Sequence, residues 1–186
     1  MKESDNVLRI LEGTKKAIQD GDEAEIKNLS NQTTNTASLT QDPDNIAVAV
    51  MVYSIGKIFE RENYRNLKGW DAFYKLVISG LDRAIKDVKS ENIEGFRKDF
   101  EMIRKAINKV SERLRKDIEE VFRKAQINKA SRIYAHGISM AQTAKLLGVT
   151  MYELADYAGS SGISDAPSSK TMRAKDRIKL AMDLFE

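Results

Sequence analysis

The sequence predicts an all-α protein with an N-terminal helical bundle, a long connecting helix, a C-terminal helix-turn-helix and a tethered terminal helix. Three observations support this fold class. The 186 residues include only two prolines and ten glycines, so few positions interrupt a helix. Apolar residues recur every three or four positions over most of the chain. Capping signatures mark the points where several helices begin.

Residues 1–92 are predicted to form the N-terminal bundle. Asp42-Pro43-Asp44 is a typical helix start, with a capping carboxylate followed by proline at the first helical position. The helix expected over 43–61 is apolar almost all round, which predicts that it is the buried centre of the bundle. Amphipathic helices at 3–19 and about 67–89 are expected to pack around it.

The second helix, about 23–40, is unusual because small polar residues dominate it after Leu29. One interpretation is a partly frayed helix whose small side chains allow close packing. The other is a polar pocket, built from Asn31, Thr34, Asn35 and Ser38. The absence of an ionisable residue from this stretch favours the first interpretation.

An apolar stripe with nearly heptad spacing runs through residues 93–125. Its members are Phe96, Phe100, Ile103, Ile107, Val110, Leu114, Ile118, Val121 and Ala125. The pattern predicts one long helix, or two helices that share one face. The stripe either packs on the bundle or forms the seam of a homodimer.

Residues 126–159 are predicted to form a helix-turn-helix unit, in which 138–159 holds the two short helices. Ser139 and Gln142 have the spacing of a capping box, and Thr150 and Glu153 repeat it. Gly148 lies between them, where a left-handed backbone conformation would end the first helix. The positions expected to be buried are Leu147, Val149, Leu154 and Tyr157.

This 22-residue stretch resembles the helix-turn-helix of transcription regulators. The resemblance implies duplex DNA as a partner, with the second helix against base edges. The outward positions of that helix are Met151, Tyr152, Glu153 and Asp156, and with Lys145 the stretch has a net charge of −1. The helix-turn-helix spacing therefore fits a DNA-binding motif, whereas the acidic side chains on its outer face do not.

The residues before this motif are basic. Residues 97–136 contain 12 Lys and Arg against six Asp and Glu, and Lys129 is one of these cations. A basic helix beside a groove-binding motif favours contact with phosphates. The candidate nucleic-acid-binding residues are Lys145, Thr150, Met151, Tyr152, Arg113, Arg115, Lys116, Arg123, Lys124 and Arg132.

A linker at 160–168 and an amphipathic terminal helix at 169–186 complete the predicted chain. The segment from Gly137-Ile-Ser-Met to Tyr152-Glu-Leu resembles small antitoxins that pair with PIN-domain ribonucleases, and uncharacterised archaeal helical proteins. The resemblance implies that the terminal helix inserts Arg or Lys into the acidic metal site of a nuclease. The partner-binding candidates are Arg173, Arg177, Ile178, Leu184 and Phe185.

Composition narrows the chemistry that the chain can perform. It has no cysteine and a single histidine, His136, which excludes disulfides, thiolate chemistry and a His-rich metal site. No motif for a cofactor or a catalytic group is found. The first residues lack the apolar core of a signal peptide, and the apolar run from Ile46 to Phe59 is too short to cross a membrane. We therefore expect a cytoplasmic protein without cofactors.

Three functions remain open. The first is a DNA-binding regulator, of antitoxin type if the second resemblance holds, that uses 138–159 and the basic residues before it. The second is a protein-interaction module in which the helix-turn-helix only packs and the terminal helix binds a partner. An enzyme with a site in residues 30–40 is the least favoured, so we expect a non-enzymatic protein.

Overall fold

The computed structural model describes residues 1–106 and 111–161, without the side chains of Ala106 and Arg113. Every regular element in these residues is helical, which confirms the predicted all-α class. The helices are α1 (Ser4–Asp20), α2 (Glu23–Thr40), α3 (Pro43–Phe59), α4 (Trp70–Lys89), α5 (Ile93–Ala106), α6 (Glu112–Ala135), α7 (Met140–Leu147) and α8 (Met151–Ser160). A short 3-10 helix, Glu62–Asn66, connects α3 to α4.

Helix α3 is the centre of the N-terminal bundle, as its apolar composition predicts. Asp42 caps it by accepting hydrogen bonds from the backbone N–H groups of Asp44 and Asn45, and Pro43 follows at the first position. Its buried side chains contact α1, α2 and α6. Each fully buried aliphatic side chain in such a core stabilises the fold by roughly 1.5–3 kcal/mol.

Helix α2 is continuous to Thr40 in spite of its polar composition. Its hydroxyl groups donate to backbone carbonyls three or four residues earlier, from Thr33 to Ser30 at 2.6 Å and from Ser38 to Thr34 at 2.8 Å. The hydroxyls are satisfied locally, so the buried face of α2 can pack closely on its neighbours. The predicted fraying is not observed.

The apolar stripe is divided between α5 and α6, so of the two arrangements predicted for 93–125 the pair of helices is observed and the single long helix is not. Helix α6 begins at Glu112 and is capped by Ser111, whose hydroxyl accepts from the backbone N–H of Leu114. The stripe residues of α5 and the first part of α6 nevertheless enter the same core, which agrees with two helices that share one face. Helix α6 then continues past residue 125, across the predicted domain boundary, to Ala135.

Two parts of the sequence predictions lie outside the described residues. These are residues 107–110, which include two members of the stripe, and residues 162–186, which include most of the linker and the terminal helix. Among the helices that the structure describes, none is long and apolar enough to cross a membrane.

Candidate functional site

The second half of α6, with α7 and α8, forms a small three-helix arrangement, hereafter the C-terminal unit. Gly148 ends α7 with φ +64°, the left-handed conformation that its position in the sequence predicts. Thr150 and Glu153 form the complete capping box at the start of α8. The Thr150 hydroxyl accepts from the Glu153 backbone N–H at 3.1 Å, and the Glu153 carboxylate accepts from the Thr150 backbone N–H at 2.9 Å.

The first predicted capping box is only half formed. Ser139 accepts from the Gln142 backbone N–H at 3.2 Å, as expected. The Gln142 side chain does not return to Ser139. It donates instead to the side chain of Gln41, in the connection between α2 and α3. The amide therefore joins the C-terminal unit to the N-terminal bundle rather than closing its own helix.

The core of the C-terminal unit is the second apolar cluster of the protein. Leu147, Val149 and Leu154 are buried there, as the sequence predicts. Tyr157 is only half-buried, and its hydroxyl accepts from the side-chain amide of Asn128 at 3.1 Å. The cluster also includes Ala37, Ile46 and Ala49 of α2 and α3, so the unit is packed directly on the bundle.

The outer surface of α8 is apolar at its start. Tyr152 is 82% exposed and Met151 is 55% exposed, and both belong to the first turn. Asp156 is also exposed one turn later. Met151 and Tyr152 form an apolar surface at the start of α8, and we call these two residues the α8 tip.

The first acidic residue of α8, Glu153, is neutralised inside the C-terminal unit. Glu153 accepts from the Thr150 hydroxyl and backbone N–H and forms an ion pair with Arg123 of α6. These contacts, those of Thr150 first, lower the pKa of Glu153 to about 2. Arg123 also donates to the carbonyl of Gly148 at 3.3 Å, so it binds both ends of the turn between α7 and α8.

The other basic candidates of α6 differ in their contacts. Lys116 pairs with Glu112 and Lys124 pairs with Glu120, each one turn apart at the surface. Arg132 donates to the side-chain carbonyl of Asn31 at 3.0 Å.

Three further candidates complete the predicted set in this region. Arg115 is half-buried, and its Nε atom has no hydrogen-bond partner among the described residues. The side chain of Arg113 is outside the described part. Lys145 of α7 is exposed on the surface of the C-terminal unit. Arg173, Arg177, Ile178, Leu184 and Phe185 also lie outside the described residues.

Lys129 does not belong to the basic surface at all. Its side chain is fully buried between α6 and α2. The ammonium donates to the Ser30 carbonyl at 2.7 Å, the Ser30 hydroxyl at 3.0 Å and the Thr34 hydroxyl at 2.9 Å. It also lies 5.1 Å from the centre of the Tyr53 ring, within the range of a cation–π interaction.

Lys129 is the ionisable partner that the polar segment of α2 lacks in the sequence. Burial first, and the charge of Arg132 second, lower the pKa of its ammonium to about 7. Of the four residues predicted to line a pocket, Thr34 and Ser38 are buried, whereas Asn31 and Asn35 are exposed. The Lys129 ammonium occupies the polar interior, so the predicted pocket is filled by the protein itself.

The helical phase of α6 could have revealed this burial. Lys129 is four residues after Ala125 and four before Ile133, and both of these are buried. A charged residue in the phase of an apolar stripe therefore signals a buried cation with partners on a neighbouring helix. His136, by contrast, is an exposed residue that caps the end of α6.

No group of three His, Asp or Glu side chains within residues 1–106 and 111–161 is arranged to hold a metal ion. Comparison of the chain with models of protein families, with curated proteins and with solved structures gave no match.

Proposed function

We propose that this chain is a non-enzymatic helix-turn-helix protein that binds duplex DNA, with the first turn of α8 in the major groove. The observation that supports the proposal best is the neutralisation of Glu153 by Arg123. Residues 138–159 contain one cation, Lys145, and two anions, Glu153 and Asp156, so that with the α6 partner Arg123 counted the charges balance. The acidic character that the sequence suggests for this surface is thereby removed.

The remaining side chains of the outer surface have chemistry suited to DNA. Met151 can contact a thymine methyl group, and the Tyr152 hydroxyl can donate to a phosphate oxygen, whereas the Thr150 hydroxyl already donates to Glu153. Lys145 supplies a cation on α7. Lys116 and Lys124 are each about two-thirds exposed, and their surface ion pairs are weak enough to be exchanged for phosphate contacts.

The proposal is tested by fluorescence anisotropy of the full chain with labelled duplex DNA over a salt series. If three lysines contact phosphates, the slope of log K against log salt is roughly −3. Lys145→Ala is expected to reduce the magnitude of the slope by about 1, and the matched surface variant Lys86→Ala on α4 is expected to leave it unchanged. Flat anisotropy near physiological salt would contradict DNA binding.

A second candidate function is a protein-interaction module, and the α8 tip favours it. Two adjacent exposed apolar side chains at the start of a helix, without a neighbouring cation on that helix, are more typical of a protein contact than of a DNA contact. The resemblance to antitoxins of PIN-domain nucleases implies a nuclease as one such partner, through the terminal helix. The simplest partner for the α8 tip is a second copy of the chain, which would give a homodimer.

Sedimentation equilibrium of the wild type and of Tyr152→Lys distinguishes these two uses of α8. A dimer that forms at micromolar concentration and is lost in Tyr152→Lys would support the interaction module. A monomer in both proteins, together with salt-dependent DNA binding, would leave DNA as the function of this surface.

A further inference from the structure

An open groove of about 810 Å³ lies between α3, α5, α6 and α7. Helix α5 packs on α4, and helix α6 packs on α3. The groove is the space that this arrangement leaves between α5 and the α3–α6 pair. Its apolar lining includes Met51, Phe96, Phe100, Phe122, Leu146 and Leu147. A concavity of this size lined by aromatic and aliphatic side chains is typical of a binding site in a helical bundle.

Charged side chains surround this apolar lining. Arg97 makes a two-pronged ion pair with the buried carboxylate of Asp44, at 2.8 and 3.0 Å. Lys105 pairs with Glu101 at 3.3 Å. Arg104, also at the rim, has no ionic partner among the described residues. The groove therefore suits an occupant with an apolar stripe and charged flanks.

The chain itself contains such a segment after the described residues. Ala174, Ile178, Ala181 and Phe185 follow one another at spacings of four, three and four, which places them on one face if the segment is helical. Charged residues, among them Asp176 and Lys179, would lie on other faces. Anchors at this spacing are the pattern by which an amphipathic helix binds in an apolar groove.

The connection to this segment starts close to the groove, because it leaves α8, which packs against α7, and Leu146 and Leu147 of α7 line the groove. Twelve residues, 162–173, separate Ser161 from Ala174, and an extended chain of that length spans up to about 40 Å. A segment tethered in this way reaches an effective concentration in the millimolar range. A free partner of modest affinity therefore competes poorly with the chain's own segment.

We propose that the groove between α3, α5, α6 and α7 is the docking site for residues 174–185 of the same chain. The proposal does not depend on DNA binding. If the chain is of antitoxin type, a nuclease that binds the terminal segment must first displace this segment from the groove.

The absence of cysteine from the chain allows a direct test by disulfide trapping in the full-length protein. Ala47 is exposed and lines the groove, so the test variant combines Ala47→Cys with Ala181→Cys. The matched control combines Ala181→Cys with Ala24→Cys, at the opposite end of the α2–α3 hairpin. Mild oxidation at low protein concentration is followed by electrophoresis without reductant.

We expect the intramolecular disulfide of the groove pair to form roughly tenfold or more faster than that of the control pair. Adding Phe185→Asp to the groove pair should slow it at least roughly tenfold, because the anchor is lost. Adding Lys179→Asp, which in the same helical pattern lies on another face, should not slow it. Equal rates for the two pairs would overturn the proposal. A disulfide that joins two chains at the groove pair would also overturn it, in favour of a second copy as the occupant.

Discussion

Replacement of Lys129 by methionine should change how the stability of the protein depends on pH. Methionine has a similar volume and an unbranched stem, so it can fill the same channel between α6 and α2. It removes the ammonium and its three hydrogen bonds to Ser30 and Thr34. The perturbation therefore isolates one buried titratable group.

The magnitude follows from the lowered pKa of Lys129, which is about 7 against an ordinary value of 10.5. At pH values between these two pKa values the unfolded state binds more protons than the folded state, so the free energy of unfolding rises with pH. The destabilisation that comes from burying the charged ammonium is complete below about pH 7. From pH 7 to pH 10 the unfolding free energy of the wild type should increase relative to Lys129→Met by about 4 kcal/mol at most. The three oxygen acceptors stabilise the ammonium and reduce this difference.

The assay is urea unfolding at 25 °C, followed by the fluorescence of Trp70, the single tryptophan. Trp70 is 7% exposed and its ring centre lies 5.2 Å from that of Phe59, so its emission reports on the core. Lys124→Met, five residues earlier on the same helix, is the control, because its side chain is about two-thirds exposed. A difference between the wild type and Lys129→Met that stays constant from pH 7 to pH 10 would refute the reasoning. It would mean that the hydrogen bonds fully offset the burial.

Two further predictions concern the turn and the cap of the C-terminal unit. Gly148→Ala should lower the unfolding free energy by about 1 kcal/mol, because alanine is strained at the φ of +64° found there. Gly159→Ala should be neutral or stabilising by up to about 1 kcal/mol, because Gly159 lies inside α8 with open space around it. Urea unfolding measures both, and equal losses would contradict the assignment of the turn. Thr150→Ala removes the hydroxyl but keeps the backbone N–H, and it should raise the pKa of Glu153 because the hydroxyl contact is the largest single cause of its lowering; Arg123→Ala should raise this pKa as well. Carboxyl NMR titration measures both shifts, and the stabilisation linked to Glu153 should be lost only as pH falls from its ordinary pKa, near 4.5, towards 2.

The local features of the fold could be predicted from the sequence because they depend on residues a few positions apart. The all-α class, the start of α3 at Asp42 and Pro43, and the Gly148 turn all follow from backbone preferences and short-range hydrogen bonds. The capping box of Thr150 and Glu153 could be predicted for the same reason, since its two residues lie within one turn of each other. The buried pattern of the C-terminal unit follows from helical periodicity.

The tertiary structure decided the features that depend on which helices meet. Gln142 could have completed its own capping box, but the approach of Gln41 gave its amide another partner 101 residues away. The helical phase of α6 indicates that Lys129 is buried, but only the packing of α2 against α6 determines that Ser30 and Thr34 are its acceptors. The neutralisation of Glu153 likewise requires Arg123 from another helix. Local sequence sets where helices begin and end, whereas charge pairing and burial are properties of the packed faces, and apolar periodicity alone does not determine which faces meet.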